Sequence, residues 1–247
     1  MPTPSTPQPQ QALHPAMANP DAKPALVQAL FNQLAPHYDK LNDVISLGLH
    51  RGWKRQACQS LGLQAGQTAL DVCTGTGDLA AILAEMVGQQ GKVIGIDFSS
   101  AMLAVATQRW HNQPHITFTQ GDAMALPLAD ASVDAAVMSF GLRNVANTQT
   151  ALAQLVRVVK PQGRIAILDT CPTPSLPGFK WYFSVVMPKL GQLLSGQGEA
   201  YAYLNQSTEA FLSPEQVAQQ LAACGAQGVR ATTLAFGAAM LVTGQRP

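Results

Sequence analysis

The sequence predicts an α/β protein with a seven-stranded, mainly parallel sheet covered by helices on both faces. Three observations carry this. First, residues 70–80 read LDVCTGTGDLA, in which an apolar run (Thr68–Cys73) meets a glycine-rich turn and a helical pattern (Asp78–Met86) follows. This is how a nucleotide-binding α/β unit begins. Its glycines let the backbone turn sharply and approach a ligand, and the helix N-terminus offers unpaired N–H groups. Second, apolar runs keep alternating with helical patterns. Strands are expected at Lys92–Asp97, Ile116–Gln120, Val133–Ser139 and Gly163–Asp169, with helices at Ser100–Arg109 and Thr148–Val159. That order predicts parallel strands, with ligands outside their carboxyl ends. Third, two runs finish on carboxylates: Asp97, twenty residues beyond Gly77, and Asp122, followed by Ala123.

Taken in order, residues 1–23 are rich in Pro, Gln and Ala and lack a basic start followed by an apolar stretch. They read as a disordered tail rather than a secretory signal, and the folded domain is expected over residues 24–247. From Ala25 to Leu34, Leu26, Leu30, Phe31 and Leu34 recur at helical spacing. Pro36 interrupts, and a second short helix carries Tyr38, Leu41, Val44, Ile45 and Leu47, with Asp39 near its start and Gly48 as its end. A third begins near His50 and carries Trp53, Ala57 and Leu61. These helices form a preface expected to lie over the mouth of the sheet. Lys160-Pro161-Gln162-Gly163 makes a turn into the fifth strand. After Asp169 the alternation stops. Cys171 to Pro177 is proline-rich, and Gly178 to Leu194 is apolar and aromatic but too short to span a bilayer. Residues 172–212 are expected to form an inserted cap, acting as a lid over a greasy substrate or as an interfacial contact. Ser213-Pro214-Glu215 starts a helix and Gly225 stops it. Val229–Ala235 and Ala238–Thr243 then close as a hairpin around Gly237, which brings the strands to seven.

The residues around the loop discriminate between ligands. A dinucleotide loop must accommodate a pyrophosphate, and Asp71, four residues before Gly75, would add repulsion there. S-adenosylmethionine carries no phosphate, and its ammonium and sulfonium favour a nearby acid. Asp71, Gly75, Gly77, Asp97 and Asp122 therefore read together as a methyl-donor pocket, with Asp97 gripping a ribose diol. The plainer reading is a turn of any α/β protein with Asp97 and Asp122 as helix caps. A net charge of +1 gives no reason to expect a nucleic-acid surface. Cys58, Cys73, Cys171 and Cys224 are isolated, which argues against a metal site or a disulfide framework and fits a reducing, cytoplasmic setting.

Three longer stretches carry a resemblance. FNQLAPHYDKLNDVISLGLHRGWKR, LDVCTGTGDLA and MSFGLRNVANTQTALAQLVRVVKPQGR, with GEAYAYLNQS further on, resemble the ubiquinone/menaquinone biosynthesis C-methyltransferases of the UbiE/MenG type, from about Leu26 to the C-terminus. The glycine-rich loop is common to class I methyltransferases, whereas FGLRN and the YDKLND…LHRGWKR preface are specific to this family. The resemblance implies a class I, Rossmann-like, S-adenosylmethionine-dependent methyltransferase that methylates a ring carbon of a demethylated prenylated quinol. Its donor contacts fall on Thr76, Asp97, Asp122, Ala123 and Ser139. Cys73 and Thr74 depart from the small residues or glycine common just before the loop. Among acceptors it points to naphthoquinols, the phytyl-substituted one first, with a benzoquinol or another hydrophobic small molecule as the alternative.

Carbon methylation needs an electron-rich ring, which a quinol losing a phenolic proton provides. Arg143 and Asn144 follow the fourth strand, where such a substrate would face the donor. Arg143, with a pKa above about 12, is a poor base, so its expected role is to stabilise the phenolate or order a water. The plainer role is to fix a loop through carbonyl bonds. Proton acceptance falls to Asp39 or His50, with Tyr38 as a binding group. Their plainer roles are N-cap, helix start and core. A prenyl tail also makes transient contact with a membrane surface expected. No feature of the sequence sets an oligomeric state.

Overall fold

The computed structural model describes residues 22–172 and 198–247. Seven strands occur among them: β1 (Thr68–Val72), β2 (Lys92–Asp97), β3 (Ile116–Gln120), β4 (Val133–Ser139), β5 (Val159–Thr170), β6 (Gln227–Leu234) and β7 (Ala239–Gln245). They form one sheet in the order β3-β2-β1-β4-β5-β7-β6. The first five run parallel, and β7 returns antiparallel between β5 and β6. The order reverses between β1 and β4, so a crevice opens at their carboxyl ends.

Both faces of the sheet are buried, which is why its strands read as apolar runs rather than alternating ones. Leu70, Val72, Met138, Ile165 and Ile167 point to one face, where α6 (Thr148–Val158) and α8 (Pro214–Ala223) bring Leu152, Leu155, Val217 and Leu221. Ala69, Ala135, Val137, Ala166 and Leu168 point to the other, against Ala57, Leu61, Leu79 and Leu83 of α3 (Leu49–Ser60) with its following residue and α4 (Asp78–Val87). Alanine on that face lets α3 and α4 approach closely. Among the described residues three helix starts carry side-chain caps, and the one at Ser213 is expected from the sequence. Ser213 and Gln216 form a reciprocal capping box at α8, Asn147 caps α6, and Ser99 caps α5 (Ser100–Arg109).

Most boundaries fall within a residue or two of the sequence expectation, and two differences have a visible cause. The tail expected to end at Lys23 gives up that residue to α1 (Lys23–Leu34), because its ammonium donates to the carbonyls of Arg143 (3.1 Å) and Val145 (2.9 Å). The fifth strand starts at Val159 rather than Gly163. Its ladder with β4 steps from Val133↔Val159 to Ala135↔Arg164, so the KPQG turn is carried as an irregularity within the strand. Of the cap expected over residues 172–212, residues 173–197 lie outside the described residues. Within the remainder, α7 (Gly198–Glu209) packs Tyr203 against Val27, and Leu204 against Leu34 and Leu41.

The preface does lie over the carboxyl edge. Gln28 of α1 donates to Phe98 O (2.9 Å), and Asn32 accepts the Ser99 hydroxyl (2.6 Å). α2 (Tyr38–Ser46) and α3 are fastened by a chain of charges: Lys54 to Asp78 (2.9 Å), Asp78 to Arg109 (2.8 Å), and Arg109 to Asp39 (2.8 Å). Leu155 is fully buried between α6 and the sheet. Leu155→Ala is expected to cost about 2–5 kcal/mol in urea unfolding through the cavity it leaves; a loss under about 1 kcal/mol would mean that this face is not packed as described.

Candidate active site

The loop after β1 is built from residues in the left-handed region: Cys73 (φ 59°), Gly75 (φ 56°) and Gly77 (φ 83°). A Cβ on Gly77 would lie 2.7 Å from the Trp110 ring and 2.9 Å from Phe118, so only glycine fits there. Cys73 holds its conformation with a side chain, and the space that side chain needs is left by Gly141, whose Cβ would fall 2.5 Å from Cys73 Cβ. The loop is fixed from β2: Thr74 N–H donates to Ile96 O (3.0 Å) and Gly75 N–H to Asp97 Oδ2 (2.8 Å). The other oxygen, Asp97 Oδ1, accepts the Ser99 N–H (2.9 Å).

Above the crevice lies a cavity of ≈ 790 Å³, its open mouth included. Its wall is made by Gly75, Asp97, Met102, Asp122 and Ala123 from the core of the fold, and by Phe31, Tyr38, Phe140, Asn144 and Val145 from the preface and the loop after β4. Asp97 is buried, which raises its carboxyl pKa, against the pull of the Ser99, Gly75 and Phe98 amides. Asp122 Oδ1 accepts the Met124 N–H (2.8 Å). The Ser139 hydroxyl lines the cavity, buried and without a hydrogen-bond partner among the described residues. A buried hydroxyl left this way is costly unless a ligand atom meets it. Carboxylates, an orphan hydroxyl and apolar walls suit a ligand with a polar, hydroxylated end and a flat heterocycle.

The structure thus brings Tyr38, Gly75, Asp97, Asp122, Ala123, Ser139 and Asn144 to one cavity. Six residues singled out in the sequence are not on its wall. Asp71 is fully buried beneath the loop, where Thr74 Oγ1 donates to it (2.6 Å). Gly77 and Thr76 turn the chain behind the cavity, and Thr76 Oγ1 donates to Asp39 (2.6 Å), so these two side chains serve each other. His50 is buried against Ser46 Oγ (2.7 Å), and burial, then the nearby Lys54 charge, holds its pKa below the usual histidine value. Arg143 is turned away from the cavity. Its guanidinium, 7% exposed, donates to Asp169 Oδ1 (2.7 Å) and Phe140 O (2.8 Å), which pins the loop that carries Asn144.

Residues 18–246 match the ubiE/COQ5 methyltransferase family model. The chain belongs to this family. It is 40% identical over 232 residues to a demethylmenaquinone methyltransferase of Desulfitobacterium hafniense, covering 91% of each chain. It is 41% identical over 224 residues to a 2-phytyl-1,4-naphthoquinone methyltransferase of Thermosynechococcus vestitus, covering 89% of this chain and 99% of that one. Among solved structures, a SAM-dependent methyltransferase from Aquifex aeolicus superposes with a TM-score of 0.60 at 22% identity, over 78% of this chain and 89% of the other, a likeness of fold. Membership makes the chain an S-adenosylmethionine-dependent methyltransferase.

For this methyltransferase, sequence reasoning missed three groups that shape the cavity. Phe31 forms part of its wall and meets Tyr38 edge-on, ring centroids 6.1 Å apart. Asp169 is the buried counter-ion of Arg143, and its signal was a carboxylate closing the apolar run AILDT. Tyr203 donates its hydroxyl to Asn144 Oδ1 (3.0 Å), and burial pushes that hydroxyl up to about 12. Its signal was an aromatic inside the polar helix GEAYAYLNQS.

Asp71 gives a pH test. Burial pushes its carboxyl up to about 7, against the Thr74 hydrogen bond and the Lys54 charge. Between the unfolded value near 4 and that folded value the native state binds the extra proton, so this group removes stability as pH rises. Asp71→Asn should therefore gain on the wild type from pH 4 to pH 7, by at most about 4 kcal/mol. Denaturant unfolding across that range checks it, and parallel curves for the two proteins would refute the buried-acid assignment.

Proposed function

We propose that the chain methylates a ring carbon of a demethylated, prenylated naphthoquinol, in the quinol state. The observation that carries this is the mixed lining of one cavity, in which Asp97, Asp122 and Ser139 share the wall with Val27, Phe31, Phe140 and Val145. The acceptors in the names of the Desulfitobacterium and Thermosynechococcus relatives are both naphthoquinones, which supports the bicyclic head over a benzoquinol.

When bound, S-adenosylmethionine supplies an electrophilic methyl group. Each Asp97 oxygen accepts one amide and keeps a lone pair for a ribose hydroxyl. Asp122 keeps acceptor capacity for an adenine N–H beyond the Met124 bond, with Ile96, Met102 and Ala123 as an apolar slot. The Ser139 hydroxyl gains its missing partner from the polar end of the donor.

On the wall from the preface and the loop after β4, Tyr38 and Asn144 are the polar side chains offered to the acceptor ring. Asn144 Oδ1 is occupied by Tyr203, and its Nδ2 shares a proton with Phe140 O at 3.2 Å, a bond long enough to be exchanged for a ring oxygen. Arg143 works through this loop, its buried charge balanced by Asp169. Asp39 and His50 are engaged elsewhere, so the phenolic proton passes to water, with Tyr38 as a binding group. Holding donor and acceptor in line is worth about 7–11 kcal/mol of barrier. Water excluded by the apolar part of the wall keeps the phenolate reactive.

The deciding assay is methyl transfer from labelled S-adenosylmethionine to demethylated naphthoquinol and benzoquinol acceptors, each reduced and oxidised. Label is expected in the reduced naphthoquinol alone; donor binding without transfer to any quinol would sink the acceptor assignment. Two variants separate donor binding from turnover. Asp97→Ala is expected to weaken donor binding on the order of tenfold or more, while Arg143→Ala keeps near-normal donor affinity and loses turnover. Titration calorimetry beside initial rates distinguishes them, and unchanged donor affinity in Asp97→Ala would remove its ribose role.

A further inference from the structure

The large apolar side chains that stand exposed among the described residues are Leu26, Leu47, Leu49, Phe98 and Phe236. All five lie on one edge of the molecule, the carboxyl rim that carries the cavity mouth. Leu26 belongs to α1, which crosses this rim between Val145 and Ser99. Phe98 directly follows β2. Phe236 is in the turn from β6 to β7, level with the end of β5, since Thr170 pairs with Ala239. Leu47 and Leu49 form the α2–α3 turn. α3 reaches the opposite edge at its C-terminus, where Arg164 bonds Ser60 O, and meets the first residue of α4 through Lys54. Its N-terminal turn, a further five residues back, therefore projects beyond the rim. The opposite edge is different: its turns are GQQG, KPQG and HNQPH, and Leu61 and Leu63 there are buried.

Leu47 and Phe236 add a second observation. Both are 73% exposed, and both hold left-handed backbone, φ 51° and 56°. A left-handed position, at a helix C-terminus as for Leu47 or in a turn as for Phe236, ordinarily takes Gly or Asn, because a Cβ there costs about 1–2 kcal/mol. Each leucine or phenylalanine thus carries a backbone cost and an exposed apolar surface that nothing else in the described structure offsets. Lys40, Arg51 and Arg55 stand exposed around the α2–α3 turn, and the acids nearby, Asp39 and Asp43, are already paired with Arg109 and Arg51.

We propose that this rim docks on the surface of a bilayer containing anionic phospholipid, with Leu47, Leu49 and Phe236 inserted among the acyl chains and Lys40 and Arg55 at the headgroups, so that the cavity mouth faces the lipid. The inference rests on the prenylated-quinol reading, since such an acceptor resides in lipid. An apolar tip flanked by cations is the chemistry of shallow interfacial binding.

The test is co-sedimentation of the full chain with vesicles of phosphatidylcholine plus phosphatidylglycerol, and with phosphatidylcholine alone. Leu47→Asn/Leu49→Asn and Phe236→Asn are compared with wild type. Wild type is expected to bind the mixed vesicles more tightly than the neutral ones. The double variant should lose about tenfold or more in partitioning, yet keep or raise its melting temperature, because Asn tolerates the left-handed position that Leu47 strains. Turnover of a short-chain, water-soluble demethylated naphthoquinol should match wild type in every variant. Vesicle binding unchanged in both variants, or absent in wild type, overturns the docking surface. So does a dimer that dissociates in the double variant while vesicle binding persists, since a second copy would then be what covers the rim. Failure of wild type on the short-chain quinol overturns the functional reading instead, whatever the vesicles show.

Discussion

The carboxylate of Asp97 joins two pieces of chain whose amides would otherwise have no acceptor, the glycine loop after β1 and the start of α5. Charge-assisted bonds of this kind are worth about 1.5–3 kcal/mol each. Here they also set the height of the loop above the sheet. Everything on the cavity floor follows from that height. Gly75 is drawn toward β2, Cys73 is pushed against Gly141, and Trp110 can reach Thr76 O with its indole N–H (3.1 Å). The carboxylate is buried to do this, and burial alone would favour the neutral acid. The Ser99, Gly75 and Phe98 amides oppose that shift, so the same bonds that position the loop also favour the charged carboxylate.

The first two helices of the preface, α1 and α2, are held to this floor by polar bonds rather than by a large apolar interface. Their apolar clusters are small, Leu34 with Leu41 and Val27 with Tyr203. Lys23, Gln28, Asn32 and Asp39 supply the rest, each bonding a group at the carboxyl edge. Burial lowers the pKa of Lys23, so its two carbonyl bonds offset a real desolvation cost. α1 and α2 contribute no residue to the two main cores, which lie on the two sheet faces.

What could be read from the sequence follows from which interactions are local. Strand ends were legible because two-sided burial makes each strand a continuous apolar run that stops where the chain reaches the crevice, and Asp97, Asp122 and Ser139 stand at those stops. The hairpin at the end was legible from Gly237 and the flanking β-branched residues. Asp71 was legible as an acid beside the loop, but its side of the strand was not, since a period-two pattern is silent when both faces are apolar. The pairs that orient the loop carrying Asn144 are separated by 26 residues for Arg143 with Asp169 and 59 for Tyr203 with Asn144. Propensity and spacing carry no information over such distances. The helix of Phe31 and Lys23 is expected over the mouth of the sheet, but which of its side chains line the cavity or bond the loop after β4 depends on tertiary contacts.

The interlock between Cys73 and Gly141 has a consequence for how this chain can change over generations. The side chain at 73 occupies the volume that a side chain at 141 would need, and position 73 is itself in a conformation that glycine adopts more easily. Any replacement that adds a Cβ at 141 is barred while cysteine stands at 73, and becomes sterically open once 73 is glycine. The two positions are therefore coupled sterically. One belongs to the glycine loop and the other to FGLRN, and both line the cavity, so a change in one part of its wall is constrained by another through a single contact between a side chain and a missing carbon.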